Sequence, residues 1–180
     1  MIVINFFGGA GSGKSAQAAG LFYKMKEKGY SVELINEFPK QIVWEKHFEL
    51  LSDQLYIFAN QNRQVYRLEG QVDYCITDSP TLLSSVYKDA YSASPYTDAL
   101  DQLVLESYER NKNINFFMER PSSYENTGRA QDLQESIRID RQILKILFTN
   151  NIKFRQINYE RQIDILENML EYVESESSSL

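Results

Sequence analysis

Residues 8–15 read Gly8-Gly9-Ala10-Gly11-Ser12-Gly13-Lys14-Ser15, a full match to G-x-x-x-x-G-K-[ST]. The chemistry of that spacing is phosphate binding. Glycines allow backbone dihedrals that aim successive N–H groups inward as a concave anion nest, and a helix starting there adds the positive end of its dipole. Lys14 is placed to reach the β- and γ-phosphates of a nucleotide, and the Ser15 hydroxyl to ligate magnesium. ATP and Mg2+ are therefore the expected ligands. A second carboxylate-bearing segment, Tyr74-Cys75-Ile76-Thr77-Asp78, is an apolar strand ending in Asp78. Beside a phosphate loop such a residue holds the magnesium, directly or through water.

Further residues qualify for the transfer itself. Glu37 stands directly after the second strand, opposite the phosphates, where a base would meet an acceptor hydroxyl; Asp78 competes for that role. Arg120 and Arg129 bracket a polar stretch after the fourth strand, the composition of a lid that stabilises charge on a moving phosphoryl group and excludes water. Gln54 and Gln61 lie seven residues apart on one helix and share a face with Phe58. Carboxamides beside an aromatic can pair with a base edge while the ring stacks, and Phe38, Trp44, Phe48 and Tyr56 add aromatic density nearby. Satisfying local backbone groups is the competing use for the glutamines. Arg63 and Arg67, one turn apart, suit a phosphate. His47 reads as a surface residue and Cys75 as packing.

The elements that must position these residues alternate. Strands are expected over 2–7, 31–36, 72–77, 114–118 and 154–158. Helices are expected over 14–28, from Asp53 to near Gly70, over 98–111, over 132–150 and over 162–173. Helix 132–150 is assigned the stripe Leu133, Ile137, Asp140, Leu144 and Leu147; the Asp53 helix is assigned Leu55, Phe58, Asn62, Val65 and Leu68. Strands each followed by a helix imply an α/β fold with a parallel sheet covered on both faces. Residues 1–173 read as one domain and 174–180 as a flexible polar tail.

Composition narrows the partners. The chain has 180 residues, 19 Lys+Arg against 25 Asp+Glu, and a formal net charge of -6. That balance opposes indiscriminate coating of nucleic acid, and no apolar run is long enough to span a membrane. One cysteine suits a reducing, cytoplasmic compartment, and one histidine excludes a His-rich metal site. The single-chain reading leaves a homodimer open.

The loop GGAGSGKS, the segment INEF, the TDSP turn and the Arg-bracketed lid resemble the P-loop nucleoside and nucleotide kinases. The nearest likeness is to a compact bacteriophage group, thymidylate-kinase-like or 5-hydroxymethyluracil DNA kinase-like, and covers residues 1–170. The resemblance implies a three-layer sandwich around a five-stranded parallel sheet of order 2-3-1-4-5. It implies an ATP-dependent kinase with a nucleoside, nucleotide or DNA-base acceptor, 5-hydroxymethyluracil in phage DNA being the most specific candidate, in an infected bacterial cell. A deoxynucleoside or deoxynucleoside monophosphate kinase, or a P-loop ATPase with no acceptor, are the alternatives. Strand three ends Asp78-Ser79-Pro80, whereas thymidylate kinases carry Asp-Arg and deoxynucleoside kinases Glu-Arg. The acceptor-contacting arginine of those families is missing from that position.

Overall fold

Near-continuous apolar strands can be buried on both faces only if helices cover both sides. In the computed structural model, which describes residues 1–91, 97–120, 133–158 and 164–179, they are. Strands β1 (Ile2–Phe7), β2 (Val32–Ile35), β3 (Tyr74–Thr77), β4 (Lys112–Met118) and β5 (Arg155–Ile157) form one sheet of order β2-β3-β1-β4-β5, every pairing parallel. This is the expected order. The helices are α1 (Lys14–Glu27), α2 (Phe38–Glu45), α3 (Gln54–Tyr66), α4 (Leu83–Tyr91), α5 (Thr97–Glu109), α6 (Leu133–Thr149) and α7 (Ile165–Ser177), with a short 3-10 turn at Phe48–Ser52.

Alternation along β1 divides the core. Ile4 and Phe6 join Leu21 and Met25 of α1 and Met169, Leu170 and Val173 of α7. Phe7 faces the other way, with Val86 of α4, Val104 of α5 and Ile139, Ile143 and Leu147 of α6. Each such fully buried side chain contributes about 1.5–3 kcal/mol, which fixes the helices against the sheet. The strand register then sets the site: Asn5 pairs with Thr77 and Phe7 with Phe117, so β1, β3 and β4 end side by side.

Four expectations change. In α6 the buried stripe is Ser136, Ile139, Ile143 and Leu147, while Leu133 is exposed. Apolar residues on this helix span more than one stripe, and packing on the sheet chose the neighbouring one. In α3 the buried residues are Gln54, Ile57, Phe58, Gln61 and Val65, with Leu55 exposed, because two glutamines find hydrogen bonds inside. Helix α4, left without an element by the periodicity, buries Leu83, Ser84, Ser85, Val86 and Lys88; the lysine can be buried because Asp101 pairs with it, as does Asp89 at 3.3 Å. Last, α7 continues to Ser177 where a flexible tail was expected from 174. Tyr30 donates to Glu174 at 2.7 Å, and Lys153 donates to Glu176 at 2.7 Å, which ties that last turn to the body. The predicted cap at Asp53 is present, accepting from the Tyr56 N–H at 3.0 Å.

Polar residues interrupt the central strands. Asn5 donates to Asn113 Oδ1 at 2.9 Å and to Asn115 Oδ1 at 3.0 Å, and Tyr108 donates to Asn115 at 2.8 Å. Asn115 itself donates to the Lys153 carbonyl at 2.8 Å. Burial pushes the Tyr108 phenol well above its ordinary pKa, keeping it a neutral donor. Asn115→Ala therefore strands two buried donors; chemical denaturation should show a loss of about 3 kcal/mol, and a change within error would make the network energetically idle.

Candidate nucleotide-binding site

Gly8 leaves β1 at φ +142°, where a Cβ would collide with Ser12 Oγ. Gly11 and Gly13 take φ +83° and +85°. These values suit glycine, and they wind residues 8–15 into a loop over the start of α1. Gly13 caps α1 without any side-chain hydrogen bond, and no acidic residue lies in the first turn. The helix thus begins with N–H groups open to an anion and no charge opposing one.

The loop is internally braced through the Gly9 carbonyl. That oxygen accepts from the Ser12 hydroxyl at 3.0 Å, the Ser12 N–H at 3.3 Å and the Lys14 ammonium at 2.9 Å. Lys14 is half-buried by accessible surface but densely surrounded by protein. Burial lowers its pKa, opposed by the negative charges of Glu37, Asp78 and Asp140. A bound polyphosphate would stabilise the charged form in the same way. The Gly9 N–H is not part of the nest. It donates to Asp140 Oδ1 at 2.5 Å, so an anion would be held by the residues after it.

Asp78 and Glu37 flank the loop from the β3 and β2 ends. Asp78 is buried, and its Oδ1 has no hydrogen-bond partner among the described residues. A carboxylate oxygen kept dry and unpaired is costly, and a divalent cation is the kind of group that satisfies it. With the exposed Ser15 hydroxyl at the start of α1, it makes a donor set that fits magnesium. Glu37 is half-buried at the N-terminus of α2. Burial is the main cause that raises its pKa, reinforced by Asp78 and opposed by Lys14 and Lys40. The described residues hold no cluster of three or more His, Cys, Asp or Glu suited to a metal ion.

Gln61 is fully buried and already engaged. It accepts from the Phe38 N–H at 3.1 Å and donates to Thr77 Oγ1 at 3.4 Å, while Thr77 Oγ1 accepts from the Ser79 N–H at 3.1 Å. It braces the backbone beside Glu37 against the backbone beside Asp78, the competing use named for it from the sequence. Gln54 differs: its Nε2 donates to the Leu51 carbonyl at 2.6 Å, but its buried Oε1 has no partner among the described residues. Phe58 belongs to the core cluster with Phe7, Leu82 and Leu83. Phe38 meets Tyr56 edge to face at 5.5 Å. Trp44 and Phe48 are 64% and 52% exposed, so neither is core. Arg63 is exposed on the side of α3 turned away from the Gln54–Gln61 stripe. His47 is exposed as expected; Cys75 is buried, its thiol pushed up to about 12.

Arg120 lies against the loop. Its Nη1 donates to the Ala10 carbonyl at 2.6 Å, and its Nε and Nη2 donate to Asp140 Oδ2 at 3.1 and 2.7 Å. Arg129 and the rest of the expected lid lie outside the described residues. Asp140 is the residue that sequence reasoning missed, having been assigned to an apolar stripe. A carboxylate alone among apolar stripe positions was the available signal.

A family model described as an AAA domain matches residues 3–162, and the chain belongs to that family. No curated protein matches it. Among solved structures it is similar to a thymidylate kinase from Ehrlichia chaffeensis, at 20% identity and TM-score 0.62 over 97% of both chains. It is likewise similar to a deoxyadenosine kinase from M. mycoides with bound dATP, at 16% identity and TM-score 0.62, over 95% of this chain and 98% of that one. The fold is therefore that of the P-loop kinases, the sheet order included.

Position 9 tests how tightly this loop is built. A Cβ on Gly9 would lie 2.6 Å from the Ser136 carbonyl oxygen and 2.9 Å from both Arg120 Nη2 and Asp140 Oδ1. Gly9→Ala should push the loop from α6 and weaken binding of a fluorescent ATP analogue by about tenfold or more, a 1.4 kcal/mol effect. Unchanged affinity in titration would mean that α6 yields freely.

Proposed function

We propose that the chain is an ATP-dependent kinase that moves the γ-phosphate to a hydroxyl of a nucleoside-type acceptor. The observation that carries this reading is the convergence of Lys14, Asp78 and Glu37 on one centre, each within reach of the others' charge. A nucleotide-binding module needs the lysine and a metal-holding carboxylate. A second, proton-binding carboxylate beside them supports transfer to an acceptor.

In the proposed step Glu37 takes the acceptor proton. The acceptor oxygen bonds to the γ-phosphorus as the bond to the β,γ-bridging oxygen breaks, releasing ADP. Lys14 leaves the Gly9 carbonyl for the β- and γ-phosphates, which are better acceptors for an ammonium than a neutral oxygen. Magnesium held by Ser15 and Asp78 would neutralise phosphate charge. Arg120 adds positive charge beside the loop, with Arg129 proposed from the sequence alone as a second source. Gln54 and Phe38 are proposed from the sequence as contacts to the acceptor base.

For the acceptor, the phage-kinase resemblance and the serine at position 79 favour 5-hydroxymethyluracil in DNA over a standard nucleoside or monophosphate. The exocyclic hydroxymethyl group is a primary alcohol. Deoxynucleosides and their monophosphates are the next candidates, the acceptor classes named by the two similar structures. An ATPase without an acceptor is the second reading, favoured by the AAA-domain family. A cytoplasmic enzyme, monomeric or homodimeric, is consistent with either; no described helix is long and apolar enough to cross a membrane.

The test is transfer from γ-labelled ATP to deoxynucleosides, deoxynucleoside monophosphates, and DNA with and without 5-hydroxymethyluracil. Label on modified DNA is the expected result. Label released only as free phosphate would overturn the kinase reading in favour of the ATPase.

Glu37 supplies a pH signature. A base must be deprotonated, so transfer should rise with pH through a limb displaced above the ordinary carboxylate range, as the raised pKa requires. Glu37→Gln should lose about 10²-fold or more in kcat while nucleotide binding persists. The linkage sign is equally specific. A folded-state pKa raised above the unfolded value gives stability present at low pH and lost as pH rises through the folded pKa. Denaturation should find Glu37→Gln more stable than the native chain at neutral pH, the gap closing in acid; a gap independent of pH would refute a buried, ionising Glu37.

A further inference from the structure

The glycine at position 9 is not required by the phosphate motif, which leaves that place free. Its φ is not among the positive values of the chain, so backbone conformation does not require it either. Space does. The Ser136 carbonyl, the Arg120 guanidinium and the Asp140 carboxylate all stand where a Cβ would be. These three groups come from just after β4 and from α6, and two of them, Arg120 and Asp140, hydrogen-bond the loop. Asp140 accepts the Gly9 N–H on Oδ1 at 2.5 Å and the Arg120 fork on Oδ2 at 2.7 and 3.1 Å; Arg120 then donates to the Ala10 carbonyl at 2.6 Å. The result is a closed ring, loop N–H to carboxylate to guanidinium to loop C=O. Both side chains are well buried, 12% and 16% exposed.

A carboxylate beside an anion site is unfavourable unless it is compensated. Here the Arg120 guanidinium compensates it, and its two oxygens hold that guanidinium and the Gly9 N–H still. We propose that Asp140 is a positioning residue which pins the Arg120 guanidinium to residues 9 and 10 of the phosphate loop, so that the guanidinium and the loop backbone keep one fixed arrangement beside the phosphate site. Without it, a long arginine side chain regains its rotamers and the loop loses the bond that turns the Gly9 N–H outward.

The kinetic arm of the test rests on the phosphoryl-transfer reading; the spectroscopic arm does not. Asp140→Asn keeps size and one acceptor but loses the charge. It should weaken binding of a fluorescent ATP analogue by up to about tenfold (about 1.4 kcal/mol), as disturbing position 9 does, and lower kcat by the larger factor of about 10²-fold. Arg120→Ala should do the same, and the double variant should be no worse than the worse single one, because the two residues act as one unit. Asp140→Glu, keeping the charge, should recover part of kcat. Multiplying losses, or a near-native kcat in Asp140→Asn, would overturn the proposal. Thermal melts identify a variant that merely unfolds, and in that case Asp140→Glu against the native chain carries the comparison. If the native chain transfers no phosphate, amide NMR decides. The Gly9 N–H should resonate far downfield and move upfield in Asp140→Ala, while the Arg120 Nε–H loses its protection from exchange. Both signals unmoved in a folded variant would show that the ring does not exist in solution.

Discussion

An anion site made of backbone depends on N–H groups that the protein itself leaves unpaired, and every other feature of this molecule is arranged around that demand. Residues 8–15 meet it with left-handed and extended glycine conformations and an uncapped start to α1. A loop with open donors has little reason to keep its shape. Three bonds into one carbonyl, that of Gly9, supply the internal restraint, and the sheet supplies the external one. Since β3 and β4 lie on either side of β1, their carboxyl ends deliver Asp78 and Arg120 to the two flanks of the loop.

Charge is distributed with the same economy. A chain of net charge -6 gathers Glu37, Asp78 and Asp140 around Lys14, an arrangement that looks hostile to a polyphosphate. Each carboxylate is accounted for differently. Asp140 is paired with Arg120, Glu37 is pushed by burial toward holding a proton, and Asp78 keeps an oxygen without a partner among the described residues, of the kind a divalent cation satisfies. The local balance around Lys14 is thus set by pairing and burial rather than by the net charge.

Much of the fold was legible because it rests on local signals. Strand positions came from apolar runs, the cap at Asp53 from side-chain chemistry, and the sheet order from the likeness of the whole chain to P-loop kinases. Where the reading slipped, tertiary context had overridden period. In α6 two apolar stripes compete, and only contact with the sheet selects Ile139–Ile143–Leu147 over its neighbour. In α4 serines and a lysine occupy buried positions, the lysine because Asp101 of α5 pairs with it. Gln54 and Gln61 are alike in sequence spacing, yet Gln61 braces two loops and Gln54 keeps an oxygen without a partner among the described residues.

The sequence by itself determined that there is a phosphate loop, because a nest of glycines followed by Lys-Ser is defined by residues adjacent in the chain. It also picked out Asp78 and Glu37, since strand ends can be counted along the chain. Only the tertiary structure decided which side chains complete the centre. Asp140 lies 131 positions from Gly9, and its bond to that N–H depends on the approach of α6 to the loop. No local period records such a distance; it arises from how closely α6 and the loop can meet, and the lone carboxylate on the α6 stripe and the absence of a Cβ at position 9 are its traces in the sequence.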